Sequence, residues 1–334
     1  MKTYTFLFFL LLLVEACSKP QQVEVVSLPE NIRTLNLDSI HNANVLLNAT
    51  GIVATSDYLI VANASKDTIF DVFERGSLLY LYSDLIYGQG PDDLLPFRWT
   101  RYLKDNDIYV IGLGTPVLTE VSINSNGLTV NRRNKIEWEN DICQNIFPLS
   151  DSKALIQPGK KHGEWVINDC ITNQLINMPE FPFKNKAEEG DWLKMFQNRA
   201  VNVAVNEDGK RIVFFYTMLP LVRLFDDNGG ILYEVNVGGE IHDASEFLHE
   251  RHLYYTRCIS VGNYIFVKYN PQNKEDDFTY FQIWNWEGRM LSMFRIEGQL
   301  NLFTVSPDAK NFYAVKKDND HIFRCSLEPI WKDM

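Results

Sequence analysis

One hairpin pattern recurs along the 334-residue chain, in which two apolar runs are joined by a short turn rich in Asp, Asn and Gly. The clearest copies contain Gly229 and Gly288, because glycine takes the positive φ that such turns require. The marker residues of the five copies are Gly76, Gly127, Asn173, Gly229 and Gly288. Successive markers stand 46 to 59 positions apart, which predicts a fold built from repeated supersecondary units.

A second turn precedes each hairpin, again between two strand-like runs. Its six copies occupy residues 55–59, 104–108, 149–154, 205–212, 261–265 and 305–312. Each repeat therefore consists of strand, turn, strand, variable loop, strand, turn and strand. Four antiparallel strands in a unit of this length are typical of one blade of a β-propeller, so we predict an all-β, six-bladed β-propeller. One or two β-sandwiches are the alternative, but a sandwich does not require six equivalent pairs of turns.

The first strand of each repeat is expected to line the propeller axis. These strands are predicted at residues 45–53, 97–103, 142–149, 200–205, 255–261 and 300–305. Little chain follows the last hairpin, whereas residues 23–37 contain alternating apolar side chains. We therefore predict that this N-terminal stretch supplies a strand that closes the last blade and leaves no open sheet edge.

The first sixteen residues have the layout of a secretory signal peptide, with Lys2, an apolar run and a small residue, Ala16, before Cys17. The apolar run is short for a transmembrane helix. Residues 14–17 resemble the bacterial lipobox, which implies cleavage before Cys17 and acylation of that cysteine. The predicted organisation is then a signal peptide (1–16), a lipidated tether (17–22) and a single propeller domain (23–334). The alternative is an ordinary signal peptide and a Cys17 without a role.

The formal net charge is −11, and removal of residues 1–16 leaves it unchanged because one Lys and one Glu are lost together. A chain this acidic repels a phosphate backbone on average, so no nucleic-acid partner is expected. The other cysteines are Cys143, Cys170, Cys258 and Cys325. We expect buried thiols at these positions, with disulfides as the alternative in an oxidising compartment.

Two motifs carry a family resemblance. The turns at residues 206–212 and 306–312 resemble the S-P-D-G-K turn of TolB-type propellers, and Ala309 replaces the glycine in the second copy. Residues 87–94 resemble a glycine-proline-acid segment of TolB-like six-bladed β-propeller lipoproteins from Bacteroides and relatives. The resemblance implies the propeller fold and a place in the cell envelope. Residues 18–22 contain no acidic run, which favours an outer membrane lipoprotein that faces the periplasm.

No motif identifies a catalytic centre or a cofactor, so none is predicted. Residues 242–252 contain three histidines, and on a helix two of them with Glu246 would share a face suited to zinc. A solvated linker between blades four and five is the favoured interpretation, and no metal site is predicted. Residues 88–95 lack the lysine and the Ser/Thr of a phosphate loop and are expected to connect the first two blades.

Arginine residues at the starts of inner strands are the candidate ligand-binding residues. Arg98, Arg199 and Arg257 come from three repeats and would meet at the mouth of the axial channel. Trp99 is placed with them because an aromatic ring can stack on a sugar or a peptide. Trp192 and Trp284 are further candidates, although packing between blades is the more common role of such side chains.

These observations predict a binding or scaffold module for a glycan, peptide or protein at one face of the propeller, held to the membrane by its lipid anchor. An envelope glycosidase or lyase that uses the same face is the alternative. Such an enzyme needs two carboxylates at a set separation, which the sequence does not reveal.

Overall fold

The computed structural model describes most of the chain from residue 23 onward. It covers residues 23–39, 46, 48–64, 67–113, 115–136, 143–158, 165–169, 171–172, 174–181, 199–241, 251–272, 277–316, 321–332 and 334. The predicted signal peptide, Cys17, the tether, residues 242–250 and Trp192 lie outside this part of the chain. The expectation of buried thiols at Cys143 and Cys170 also falls outside it, because Cys170 and the side chain of Cys143 are not described.

Six antiparallel sheets form the blades of a β-propeller, as the turns predict. Blade 1 contains β4 (Ala49–Ala54), β5 (Tyr58–Asn63), β6 (Phe70–Glu74) and β7 (Tyr80–Asp84). Blade 2 contains β8 (Phe97–Lys104), β9 (Asp107–Gly112), β10 (Val117–Asn124) and β11 (Gly127–Lys135). Blade 3 contains β12 (Cys143–Pro148), β13 (Lys153–Pro158), β14 (Val166–Asp169) and β15 (Gln174–Asn177).

The second half of the ring repeats this arrangement. Blade 4 contains β16 (Val201–Val205), β17 (Arg211–Tyr216), β18 (Leu221–Asp226) and β19 (Ile231–Val237). Blade 5 contains β20 (Tyr255–Val261), β21 (Tyr264–Tyr269), β22 (Phe278–Asn285) and β23 (Met290–Glu297). Blade 6 contains β24 (Leu300–Val305), β25 (Asn311–Lys316) and β26 (Ile322–Ser326), and its fourth strand comes from the N-terminal segment. The sandwich alternative is therefore wrong.

The polar turns hold the hairpins in register. In blade 4, the Asp226 carboxylate accepts hydrogen bonds from the backbone N–H groups of Asn228 and Gly230, and Gly229 has φ +78°. Ala309 takes a left-handed backbone, with φ +54°, in the turn between β24 and β25. The turn geometry is thus kept where the sequence lacks the usual glycine.

The core lies between neighbouring blades, and most residues of the second strands are buried on both faces of the sheet. Aromatic rings fill the contact between blades 5 and 6, where Phe281 lies 4.9 Å from both Phe303 and Phe312 between ring centroids. Cys258 and Cys325 are buried, as predicted, and form no disulfide with each other; the Cys258 thiol donates to the Val203 carbonyl. Burial raises the pKa of the Cys325 thiol to about 12, so this side chain behaves as a small apolar residue.

An N-terminal segment, residues 23–39, crosses the outer rims of three blades. It contains β1 (Glu24–Val26), β2 (Arg33–Leu35) and β3 (Asp38–Ser39). β1 adds to β19 in parallel as a fifth strand of blade 4, and β2 adds to β23 in parallel as a fifth strand of blade 5. β3 pairs with β26 in antiparallel orientation and closes blade 6. Closure by an N-terminal strand is confirmed, but residues 38–39 provide it, and the predicted residues 23–37 do not.

Side chains and backbone fasten this segment to the rims. The Val26 carbonyl accepts a hydrogen bond from Gly238 N–H at 2.8 Å, and Arg295 Nε donates to Thr34 Oγ1 at 3.0 Å. Leu35 is buried in the core between blades 5 and 6. The described residues also contain one short helix, α1 (Glu328–Trp331). No helix in the described part of the chain is long and apolar enough to cross a bilayer.

Candidate functional site

A cavity of about 350 Å³ opens on the propeller axis. Its lining comes from the inner strands of blades 1, 2, 3, 5 and 6 and from the connector before β8. The described lining residues are Thr50, Ile52, Val53, Tyr87, Phe97, Arg98, Trp99, Asn145, Arg257, Ile259, Ser260 and Thr304. We call this the axial cavity. Because five blades contribute to it, no single repeat can form the site.

Arg98 lies at the second position of β8, near the face from which the inner strands start. Its side chain is exposed, and one guanidinium nitrogen donates to the backbone carbonyl of Gln144 at 3.0 Å. This bond joins blade 2 to blade 3 and limits the movement of the side chain. A guanidinium has five N–H donors, so Arg98 keeps donors for a ligand.

Arg257 lies on β20, on the blade 5 side of the axial cavity. Its guanidinium carbon is 5.9 Å from the ring centroid of Phe303 in blade 6. Lys268 pairs with Arg257 across the two strands, and its Nζ donates to the Leu300 carbonyl at 2.9 Å. Burial, and then the charge of Arg257, lower the pKa of Lys268 below its usual value. Arg257 is therefore the positively charged side chain among the described residues that line this side of the cavity.

Aromatic rings form the opposite side of the axial cavity. Trp99 lies 5.9 Å from Phe97 and 5.5 Å from Phe70 between ring centroids, and Phe97 lies 6.1 Å from Tyr87. Gly51 faces the indole so closely that a Cβ there would be 1.8 Å from Trp99 Nε1. The absence of a side chain at Gly51 thus makes room for the Trp99 ring.

The glycine-proline-acid segment connects blades 1 and 2, as expected, and ends beside the axial cavity. Gly88 N–H donates to the Leu94 carbonyl at 3.1 Å, and Gly90 N–H donates to the Asp93 carboxylate at 2.9 Å. Arg133 of β11 donates to the carbonyls of Gly90, Pro91 and Asp93. The loop is therefore held by the Arg133 guanidinium together with hydrogen bonds of its own, and it connects Tyr87 to Phe97, which both line the axial cavity.

The structure brings together three of the four ligand-binding candidates: Arg98, Trp99 and Arg257 line the axial cavity. Arg199 does not line it. Its guanidinium carbon lies 5.6 Å from the centroid of Phe181, in a small hollow between blades 3 and 4 that Trp165 also lines. Trp284 is 1% exposed and packs against Phe215, so its role is structural.

Sequence reasoning missed several polar residues of the axial cavity. Thr50 is the second residue of β4 and Asn145 is the third residue of β12. A polar residue this near the start of an inner strand is the signal that would have identified them. Ser260 and Thr304 lie deeper on β20 and β24. Thr304 Oγ1 accepts a hydrogen bond from Ala54 N–H at 3.3 Å, which links blades 6 and 1.

The charged and metal-binding side chains determine which kind of ligand the site can attract. Among the described residues, no group of three or more His, Cys, Asp or Glu side chains is arranged to hold a metal ion. The histidine-rich stretch that raised the question falls largely in residues 242–250, outside the described part. The charged side chains among the described lining residues of the axial cavity are Arg98 and Arg257, so an anionic group is what this site can attract.

No family model and no curated protein matches the chain. One similar solved structure is a member of the DUF4221 family from Bacteroides vulgatus, with 13% identity, a TM-score of 0.57 and coverage of 89% of this chain and 97% of that one. Another is a protein of Bacteroides fragilis assigned as exported, with 10% identity, a TM-score of 0.53 and coverage of 91% and 99%. Neither likeness tests the TolB-like resemblance, which stays a prediction. Identities this low show a common fold, and the chain shares that fold over nearly its whole described length.

Proposed function

We propose that this chain is an exported, lipid-anchored β-propeller that binds the anionic group of a glycan, peptide or protein in its axial cavity. The observation that carries the proposal is the meeting of Arg98 and Arg257, from blades 2 and 5, in one cavity. Guanidinium groups bind carboxylates and sulfates through paired charge-assisted hydrogen bonds. The chain has a net charge of −11, so its overall electrostatic potential is negative, and two arginines at one site create a local positive potential.

The rest of the lining supports a binding role. Hydroxyl groups of Thr50, Ser260 and Thr304 and the amide of Asn145 can exchange hydrogen bonds with a polar ligand, and Trp99 offers a ring face. A volume of about 350 Å³ lies within the range of small-molecule sites and accommodates one sugar or one to two amino-acid residues. Placement on the axis lets the side chains surround the ligand.

The envelope location rests on the sequence and on one similar protein. Residues 1–17 have the layout of a signal peptide that ends in a lipobox-like cysteine, and one of the similar structures belongs to a protein assigned as exported. Acyl chains on Cys17 would hold the propeller at a membrane surface. The periplasmic side of the outer membrane remains the favoured location, since residues 18–22 contain no acidic run.

The test uses galacturonate as a carboxylate probe and calorimetric titration as the readout. We expect Arg98→Gln and Arg257→Gln each to weaken binding by about tenfold or more, since a hydrogen bond to a charged group contributes about 1.5–3 kcal/mol. Arg132→Gln is the matched control, because Arg132 is exposed on β11 and does not line the axial cavity. Equal binding by the wild type and by both cavity variants would overturn the proposal.

A further inference from the structure

We infer that the natural ligand is the carboxyl-terminal end of a peptide or protein chain with apolar residues at its end. This inference rests on the proposed function and narrows it to one ligand class. The added observation is an apolar surface at the mouth of the axial cavity. We define this mouth patch by Ile86, Tyr87, Leu95 and Leu113, which are 50%, 48%, 41% and 48% exposed.

The mouth patch adjoins the axial cavity. Tyr87 belongs to both, because it lines the cavity and is half exposed. Ile86 precedes it in the connector between blades 1 and 2, and Leu95 lies two residues before the cavity residue Phe97. Leu113 N–H donates to the Pro96 carbonyl at 2.7 Å, which places the end of β9 beside the start of β8. A ligand that leaves the cavity on this side therefore meets apolar side chains.

The segments that carry the mouth patch are already ordered. Leu94 N–H donates to the Ile86 carbonyl at 2.9 Å, and the three carbonyl contacts of Arg133 hold the intervening loop. Binding to a surface that is ordered in advance avoids the entropy cost of fixing loops and side chains. Solvent-exposed apolar groups that adjoin a polar cavity are typical of interaction sites.

The axial cavity and the mouth patch together favour the carboxyl-terminal end of a peptide over a glycan. Sugars present hydroxyl groups, which would lose water against Ile86, Leu95 and Leu113 without gaining a hydrogen bond. A peptide end has one carboxylate for Arg98 and Arg257 and apolar side chains that follow at intervals of about 3.5 Å along the chain. Its backbone amide groups can pair with Asn145 and Thr50. Capture of a terminal carboxylate is a recurring mode of peptide recognition.

The experiment compares three probes by calorimetric titration. They are the peptide acetyl-Ser-Gly-Ser-Leu-Phe with a free carboxyl end, the same peptide as its terminal amide, and galacturonate. We expect the free acid to bind at least about tenfold more tightly than either other probe. The amide lacks a charge-assisted hydrogen bond and galacturonate lacks an apolar side chain to bury, and the loss of either interaction weakens binding by about tenfold. Arg257→Gln should abolish that preference for the free acid over the amide.

The double variant Ile86→Ser and Leu113→Ser tests the mouth patch. It should weaken binding of the free acid at least about tenfold and leave galacturonate unchanged, because each exchange removes apolar contact area. The matched control is Ile171→Ser with Leu175→Ser, two exposed apolar residues of blade 3 away from the axis. If galacturonate binds through the arginines while the peptide acid binds no better than its amide, the inference is wrong and the proposed function stands. If the arginine variants alter the binding of no probe, the proposed function itself fails.

Discussion

The indole of Trp99 fills the space that a side chain at position 51 would need, since a Cβ on Gly51 would lie 1.8 Å from Trp99 Nε1. We therefore expect Gly51→Ala to push the Trp99 ring out of its place in the cavity wall. Overpacking of this kind costs about 1–3 kcal/mol of stability. Ligand affinity should fall as well. Tryptophan fluorescence measures the displacement of the ring, denaturant unfolding measures the loss of stability, and calorimetric titration measures the loss of affinity.

Gly76→Ala is the control for this exchange, because a Cβ at Gly76 would meet no atom within 4 Å. It should leave fluorescence and affinity unchanged. Normal binding and an unchanged emission spectrum in Gly51→Ala would mean that the Trp99 ring is not confined by this contact.

The N-terminal segment should contribute to stability through Leu35. This side chain is buried between blades 5 and 6, so Leu35→Ala should lower the free energy of unfolding by about 2–5 kcal/mol. Val25→Ala, at an exposed position of β1, should change it by less than about 0.5 kcal/mol. Chemical denaturation of both variants measures the difference, and equal stabilities would show that the segment is only loosely attached.

A buried ion pair joins β18 to β19 in blade 4. Arg223 and Glu234 form a salt bridge with side-chain exposures of 7% and 13%, and Arg223 also donates to the Glu180 carbonyl at 3.0 Å. Glu234→Gln leaves the guanidinium buried without its counter-charge, so we expect a loss of about 3 kcal/mol. Glu328→Gln breaks the exposed pair with Lys332 and should leave the stability almost unchanged, because solvent screens such a pair. Similar melting temperatures for the two variants would contradict this.

Alkaline pH should unfold the protein through its buried tyrosines. Burial, and then neighbouring tyrosines, raise the pKa of Tyr255 and of Tyr269 above the usual 10.0. A group whose folded pKa is raised contributes stability that is complete below the unfolded pKa and is lost as pH rises above it. Stability should therefore fall from about pH 10 upward. Tyrosine absorbance and circular dichroism should change together.

Tyr255→Phe tests the assignment of this effect. The Tyr255 hydroxyl is buried with no hydrogen-bond partner in the described part of the chain. Its removal should flatten the alkaline loss of stability and should not weaken the protein at neutral pH. An alkaline transition of unchanged steepness would assign the effect to other groups.

The lipid anchor is tested at Cys17. We expect Cys17→Ala to abolish labelling by a fatty-acid analogue and to release the protein from membranes into the soluble fraction. Ser18→Ala is the control, because it leaves the cysteine in place. Membrane fractionation that is the same for Cys17→Ala and the wild type would refute lipidation.

The fold could be predicted from the sequence because local interactions in the turns determine it, whereas the site could be predicted only in part. Turn residues such as Gly229 and Asp226 act within a few residues of chain, so their spacing reveals six blades directly. The meeting of Arg98 and Arg257 follows from their positions on inner strands once the ring is assumed. Arg199 lies two residues before β16 and packs over Phe181, whereas Arg98 and Arg257 lie within their strands. The sequence alone does not show where each inner strand begins or which rotamer a side chain adopts.

The N-terminal segment was harder to predict, because its partners are distant in sequence. Alternating apolar residues in 23–37 indicate a strand, and they do not indicate which outer rim it joins. A segment that shifts from blade 4 to blade 5 to blade 6 has no counterpart in the repeat, so the repeat does not predict it. The mouth patch could not be predicted either, because exposed apolar residues in a connector follow no periodic pattern in the sequence.

The pairing of β3 with β26 also determines the order in which the molecule can fold. Asp38 is synthesised before any blade, whereas its partner Arg324 is synthesised after nearly all of them. Contacts between residues so far apart in sequence form slowly, because the entropy of closing the loop is lost before the contacts compensate it. Until β26 has been synthesised, β3 has no partner strand, and its free backbone groups can pair with another chain. The interval between synthesis of the first and last strands is therefore the period in which this protein is most exposed to aggregation.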